Sequence, residues 1–90
     1  GDFNAEPNDP LIVLLRQFLS DSRDSSRIHP AGPSGTFSGF AVDGAVTRRI
    51  DYLFTAKDGR IDVLSHEVLE DADKSRYPSD HLPVSVRIGF

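Results

Sequence analysis

The sequence predicts an α/β fold, read as half of a layered sandwich with mostly antiparallel strands and one clear helix. Two observations carry this. One segment near the start repeats apolar residues at helical spacing, and the rest holds three runs that alternate apolar and polar residues at strand spacing. A sheet built from such runs needs cover on both faces, and one short helix cannot supply it. The pattern therefore fits part of a layered domain better than a complete one.

The helix is expected at about Pro10 to Leu19 in "NDPLIVLLRQFLSD". Asp9 is suited to the N-cap and Pro10 to the first helical position. Leu11, Leu14, Leu15, Phe18 and Leu19 fall three and four apart and form one apolar face. The following "SDSRDSSRIHPAGPSG" is polar and rich in serine, proline and glycine, so it reads as a long surface loop. Within it Asp21, Arg23, Asp24 and Arg27 read as solvated charges of mixed sign, and His29 as a solvated side chain. "TFSGF" reads as a short strand or ordered turn, and "AVDGAVT" as a glycine-punctuated connection.

In "RRIDYLFT", Ile50, Tyr52 and Phe54 share one strand face, with Asp51 and Leu53 on the other. Asp58-Gly59 separates this run from "RIDVLSHEVL" and signals a hairpin between them. His66 reads as a strand-face residue. "EDADKSRYPSD" is a charged loop, and "LPVSVRI" places Leu82, Val84, Val86 and Ile88 on one face of a last strand.

Ninety residues allow one domain at most. The absence of cysteine excludes disulfides and thiolate metal sites. A net charge of -4 argues against binding nucleic acid by bulk electrostatics. No apolar run approaches the ~20 residues that span a bilayer. The chain opens on Gly1 and contains no methionine, so a piece of a longer protein is expected.

Three short stretches hold the reactive groups. In "GDFN", Asp2 and Asn4 flank Phe3, and an extended backbone would point both to one side. In "RRIDYLF", Asp51 is an acid within an apolar and aromatic run, a place that asks for solvent or a partner. In "YPSDHLPV", Asp80 and His81 stand side by side between Pro78 and Pro83, which stiffen the segment. A carboxylate near the imidazole would fix its tautomer and raise its pKa. Ser79, Asp80 and His81 are consecutive and cannot easily converge as a nucleophilic triad.

In this order, "GDFN", "IDYLF" and "SDHLPV" resemble the C-terminal half of the endonuclease/exonuclease/phosphatase family, which includes deoxyribonuclease-like enzymes. "GTFSGF" is also similar to a segment of its compact bacterial members. The resemblance covers nearly the whole chain and implies that residues 1–90 are the C-terminal part of one such domain, whose N-terminal half is absent.

It also implies roles. Asp2 would orient or deprotonate the attacking water, and Asn4 would hydrogen-bond a phosphate oxygen. Asp51 would support His81, and His81 would contact the scissile phosphate. Asp80, with Asp2, would lie at a divalent metal, Mg2+ or Mn2+. The implied activity is metal-dependent hydrolysis of a phosphodiester or phosphomonoester by in-line attack of water, on nucleic acid, an inositol phosphate or a phospholipid head group. The second reading is a binding fragment that keeps the fold without activity.

The family's metal-binding glutamate and upstream asparagine belong to the absent half. Glu6, Glu67 and Glu70 lie at the wrong positions to replace that glutamate. Ser38 stands where bacterial relatives often carry histidine. Arg48 and Arg49 could meet a phosphate, although a structural pairing is the expectation for both.

Overall fold

The computed structural model describes residues 1–39, 46–70 and 80–90. The "AVDGAVT" connection falls largely outside them. So do most of the charged loop, Tyr77, Pro78 and Ser79.

Helix α1 (Pro10–Phe18) starts where the sequence expects it, with the Asp9 side chain accepting from the Leu11 amide at 3.0 Å. It ends one residue early because Leu19 turns extended and enters strand β1 (Leu19–Asp21). Its face is also rotated from the expected one. Ile12 is the fully buried residue, packed with Ala5 and Tyr52, whereas Leu11, Leu14 and Phe18 stay exposed.

The segment read as a long loop is partly structured. β1 pairs antiparallel with β2 (Phe54–Ala56), matching Leu19 with Ala56 and Asp21 with Phe54. A single-turn helix, α2 (Ser22–Ser25), follows β1 directly. Asp21 is therefore not a solvated charge. It is buried, caps α2 by accepting from the Arg23 amide, and takes both ends of the Arg49 guanidinium, one at 2.8 Å. Arg16 adds a third contact at 3.1 Å. Arg49 in turn lies 4.6 Å over the Tyr52 ring. The pairing expected of Arg49 is thus structural.

β3 (Asp62–Val68) pairs antiparallel with β4 (Val84–Gly89). The turn at Asp58-Gly59 exists, with Gly59 at φ 78°, but it joins strands of different sheets and does not close a hairpin. A register irregularity between Val63 and Ser65 breaks the alternation, so Val63, His66 and Val68 all face inward. His66 is buried, with Nδ1 2.8 Å from the Ser22 hydroxyl, and burial pulls its pKa down.

Isolated bridges join these pieces at the level of the three motifs. Residues 1–3 lie antiparallel to 50–52, through Phe3 N–H to Ile50 C=O and Tyr52 N–H to Gly1 C=O, both at 3.0 Å. Residues 35–37 run between 46–48 and 80–82, bridging Phe37 to Arg48 on one side and to His81 on the other. Gly35 is required for that close approach, since a Cβ there would meet the Arg48 nitrogen at 2.5 Å.

Burial alone would raise the Asp21 carboxyl, but its hydrogen bonds and ion pair with Arg49, helped by the Arg23 amide and Arg16, hold it below the usual carboxylate range. The stabilisation is therefore fully present above about pH 3.9, the ordinary aspartate value, and is lost as pH falls through the lower folded-state value. In the intact protein, Asp21→Asn is expected to cost about 3–5 kcal/mol at pH 7 by leaving Arg49 buried without its counter-charge. The gap from the native protein should narrow below pH 4. Denaturant titrations across pH 2–7 check this, and a gap of constant size would contradict it.

Candidate active site

The "GDFN" segment is held in place by aromatic packing. Phe3 meets Tyr52 and Phe54 edge-on, with ring centres 5.7 and 5.6 Å away. The Tyr52 hydroxyl donates to the carbonyls of Ala5 and Arg49, and burial pushes its pKa up to about 12. With Phe3 turned into this cluster, Asp2 faces the other way and bridges directly opposite Asp51.

Thr36 ties Asp51 to the last motif. Its buried hydroxyl oxygen accepts from the amides of Ile50 and Asp51 at 3.1 and 3.0 Å, and its carbonyl accepts from the Leu82 amide at 2.6 Å. Ser38 holds the preceding turn: its amide and hydroxyl both donate to the Asp80 carbonyl, at 2.8 and 3.1 Å.

The outcome is convergence. His81 Nδ1 lies 2.7 Å from Asp51 Oδ2, while Nε2 lies 3.7 Å from Asp2 Oδ2 and 4.0 Å from Asp80 Oδ1. Ligand atoms of Asp2, Asp51 and His81 all fall within 4.8 Å of one another. The hydrogen bond to Asp51 raises the His81 pKa; slight desolvation opposes this, and the charges of Asp51, Asp2 and Asp80 reinforce it. The Phe37 ring packs edge-on against the imidazole at 5.3 Å. An open cleft of about 420 Å³ runs beside the pair over Gly1, Leu53 and Pro83.

Asp2, Asp51, Asp80 and His81 are thus brought together. Asn4 takes a left-handed conformation, φ 51°, and its amide donates to Asp2 Oδ1 at 2.8 Å. The extended alternation expected of "GDFN" stops there, and the residue is exposed.

Sequence reasoning passed over Thr36 and Phe37. The available signal was the glycine immediately before a threonine and an aromatic residue in "GTFSG". Such a glycine marks a close backbone approach.

The chain is similar to several solved structures. One is a functionally unknown conserved protein from Enterococcus faecalis V583, at 30% identity and TM-score 0.87, with 99% of this chain and 34% of that chain covered. A second is a mannosyl-6-phosphatase from Bacteroides thetaiotaomicron, at 29% identity and TM-score 0.86, covering 100% and 36%. A third is an endonuclease/exonuclease/phosphatase family protein from Bacteroides thetaiotaomicron, at 28% identity and TM-score 0.83, covering 98% and 34%. The chain spans about a third of the length of each. No curated protein matches it. The profile of one family matches residues 1–81, a stretch that holds the first two motifs, the third as far as His81, and the groups that meet at His81. The chain belongs to the endonuclease/exonuclease/phosphatase family.

Proposed function

We propose that the protein containing this chain is a divalent-metal-dependent phosphoesterase that hydrolyses a phosphate ester by in-line attack of water. The observation that carries this reading is the Asp51–His81 pair at 2.7 Å, with the far nitrogen of the ring turned toward Asp2 and Asp80. Membership of the family and likeness to a mannosyl-6-phosphatase support it, and the latter favours a phosphomonoester.

The chemistry follows from the charges. Asp51 fixes the tautomer of His81 and favours its protonated form, so Nε2–H can donate to an anionic phosphate oxygen. Asp2, opposite Asp51 and half-exposed, is placed to accept a proton from water approaching phosphorus. The water oxygen forms the new P–O bond as its proton passes to Asp2, the ester P–O bond breaks, and the departing alkoxide takes up a proton from solvent.

Carboxylates gathered around one imidazole repel both one another and an incoming phosphate. Asp2 and Asp80 offer hard oxygen donors 3.7 and 4.0 Å from Nε2, donors of the kind that suit Mg2+ or Mn2+. Such an ion, when bound, supplies charge neutralisation and polarises the phosphoryl oxygen. The remaining ligands would come from outside this chain.

Asp51→Asn in the intact protein is expected to lower turnover of a phosphomonoester by ~10²-fold or more, the scale of a lost acid–base or positioning group. Near-full activity with the fold intact would reject a catalytic role for the pair. Chelation with EDTA should abolish hydrolysis and added Mg2+ restore it. Hydrolysis that persists in chelator would remove the metal from the account. A folded, metal-binding protein that turns over no phosphate ester would instead favour the reading as an inactive binding module.

A further inference from the structure

We infer that Arg48 is a specificity-determining residue of this site, taking a second anionic group of the substrate beside the phosphate handled at His81. The inference rests on the phosphoesterase reading and adds to it a preference for esters that carry more than one phosphate.

Three observations converge on it. First, Phe37 bridges Arg48 on one neighbouring segment and His81 on the other. Directly opposed bridge partners project to the same face, so Arg48, Phe37 and His81 stand side by side. Second, the Arg48 guanidinium lies 5.5 Å over the Phe37 ring, whose centre is 5.3 Å from that of the imidazole. The aromatic ring restrains a long side chain that would otherwise be mobile, and it leaves the guanidinium edges open for a planar, forked contact with phosphate. Third, Arg48 is exposed, and among the described residues no carboxylate lies within ion-pair distance of it.

Its neighbour Arg49 is the contrast, buried and committed to Asp21. The setting gives a cation with no ion pair among the described residues a task. The chain carries a net charge of -4, and the site adds Asp2, Asp51 and Asp80 around one histidine. An approaching polyanion is repelled by that cluster. A cation one ring away from the imidazole offsets the repulsion for a second phosphate placed across a sugar or similar ring, and does so without touching the reacting phosphorus.

The test compares glucose 6-phosphate with glucose 1,6-bisphosphate, which differ by one phosphate. Their binding to the intact protein is measured by calorimetry for the native form, Arg48→Gln and Arg48→Lys. The native protein should bind the bisphosphate more tightly. Arg48→Gln should weaken bisphosphate binding about tenfold, the scale of one charge-assisted hydrogen bond, and leave the monophosphate within about twofold. Arg48→Lys should recover most of the loss. Equal weakening for both ligands, as a merely structural stack on Phe37 would give, overturns the inference. So does no change for either, or a native protein that binds neither. Phosphate release is followed separately: binding that shows the expected Arg48 pattern without turnover would sink the phosphoesterase reading alone.

Discussion

The site depends on one buried threonine. Thr36 has no solvent exposure and is hydrogen-bonded through each of its polar groups that face the neighbouring segments. Its hydroxyl oxygen accepts from two successive amides, Ile50 and Asp51, where a regular ladder would offer a backbone carbonyl. Its own amide donates to Arg48 C=O, and its carbonyl takes the Leu82 amide. Each of those amides would cost about 1–3 kcal/mol if left buried without a partner. The register of residues 50–51 against residue 82 is thereby set. That register is what places Asp51 and His81, thirty positions apart in sequence, 2.7 Å from one another.

Further support for the same segment comes from a different kind of interaction. Arg49 turns inward to Asp21 while Asp51, two residues on, reaches the site. Tyr52 packs with Ala5 and Ile12 and carries Phe3 at its edge. The segment is thus held by a buried ion pair, an aromatic cluster and the Thr36 hydrogen bonds, and its functional groups stay half-open to solvent. A rigid backbone beneath accessible side chains is the arrangement that preorganised polar catalysis requires.

Long periodic elements were legible in the sequence, and short ones were not. Helix α1 announced itself through Asp9, Pro10 and its spacing, and β4 through the alternation from Leu82 to Ile88. β1 did not, because three residues reading Leu-Ser-Asp have no periodicity of their own; they become a strand by pairing with Phe54–Ala56. Asp58-Gly59 specified a turn, but turn chemistry says nothing about which strands pair when each already has another partner. The burial of His66 was hidden by the irregularity between Val63 and Ser65, which shifts every later residue to the other face. At the site, Asp2, Asp51, Asp80 and His81 were readable as motif residues. The left-handed backbone of Asn4 was not, since alternation of residue types carries no signal for a single residue that leaves the extended conformation. Thr36 could be quoted but not interpreted, because its importance lies in contacts to segments far away in sequence.

The most direct test of the claim that Thr36 positions the catalytic pair is the NMR signal of the His81 Nδ1 proton in the intact protein, compared between the native form and Thr36→Val. Valine matches threonine in shape and puts a methyl group where the hydroxyl accepts from Ile50 and Asp51. A downfield, exchange-protected resonance from the Asp51 hydrogen bond is expected in the native protein, and its loss or marked broadening is expected in Thr36→Val, with Thr36→Ser restoring it. An unchanged resonance in Thr36→Val would contradict the account.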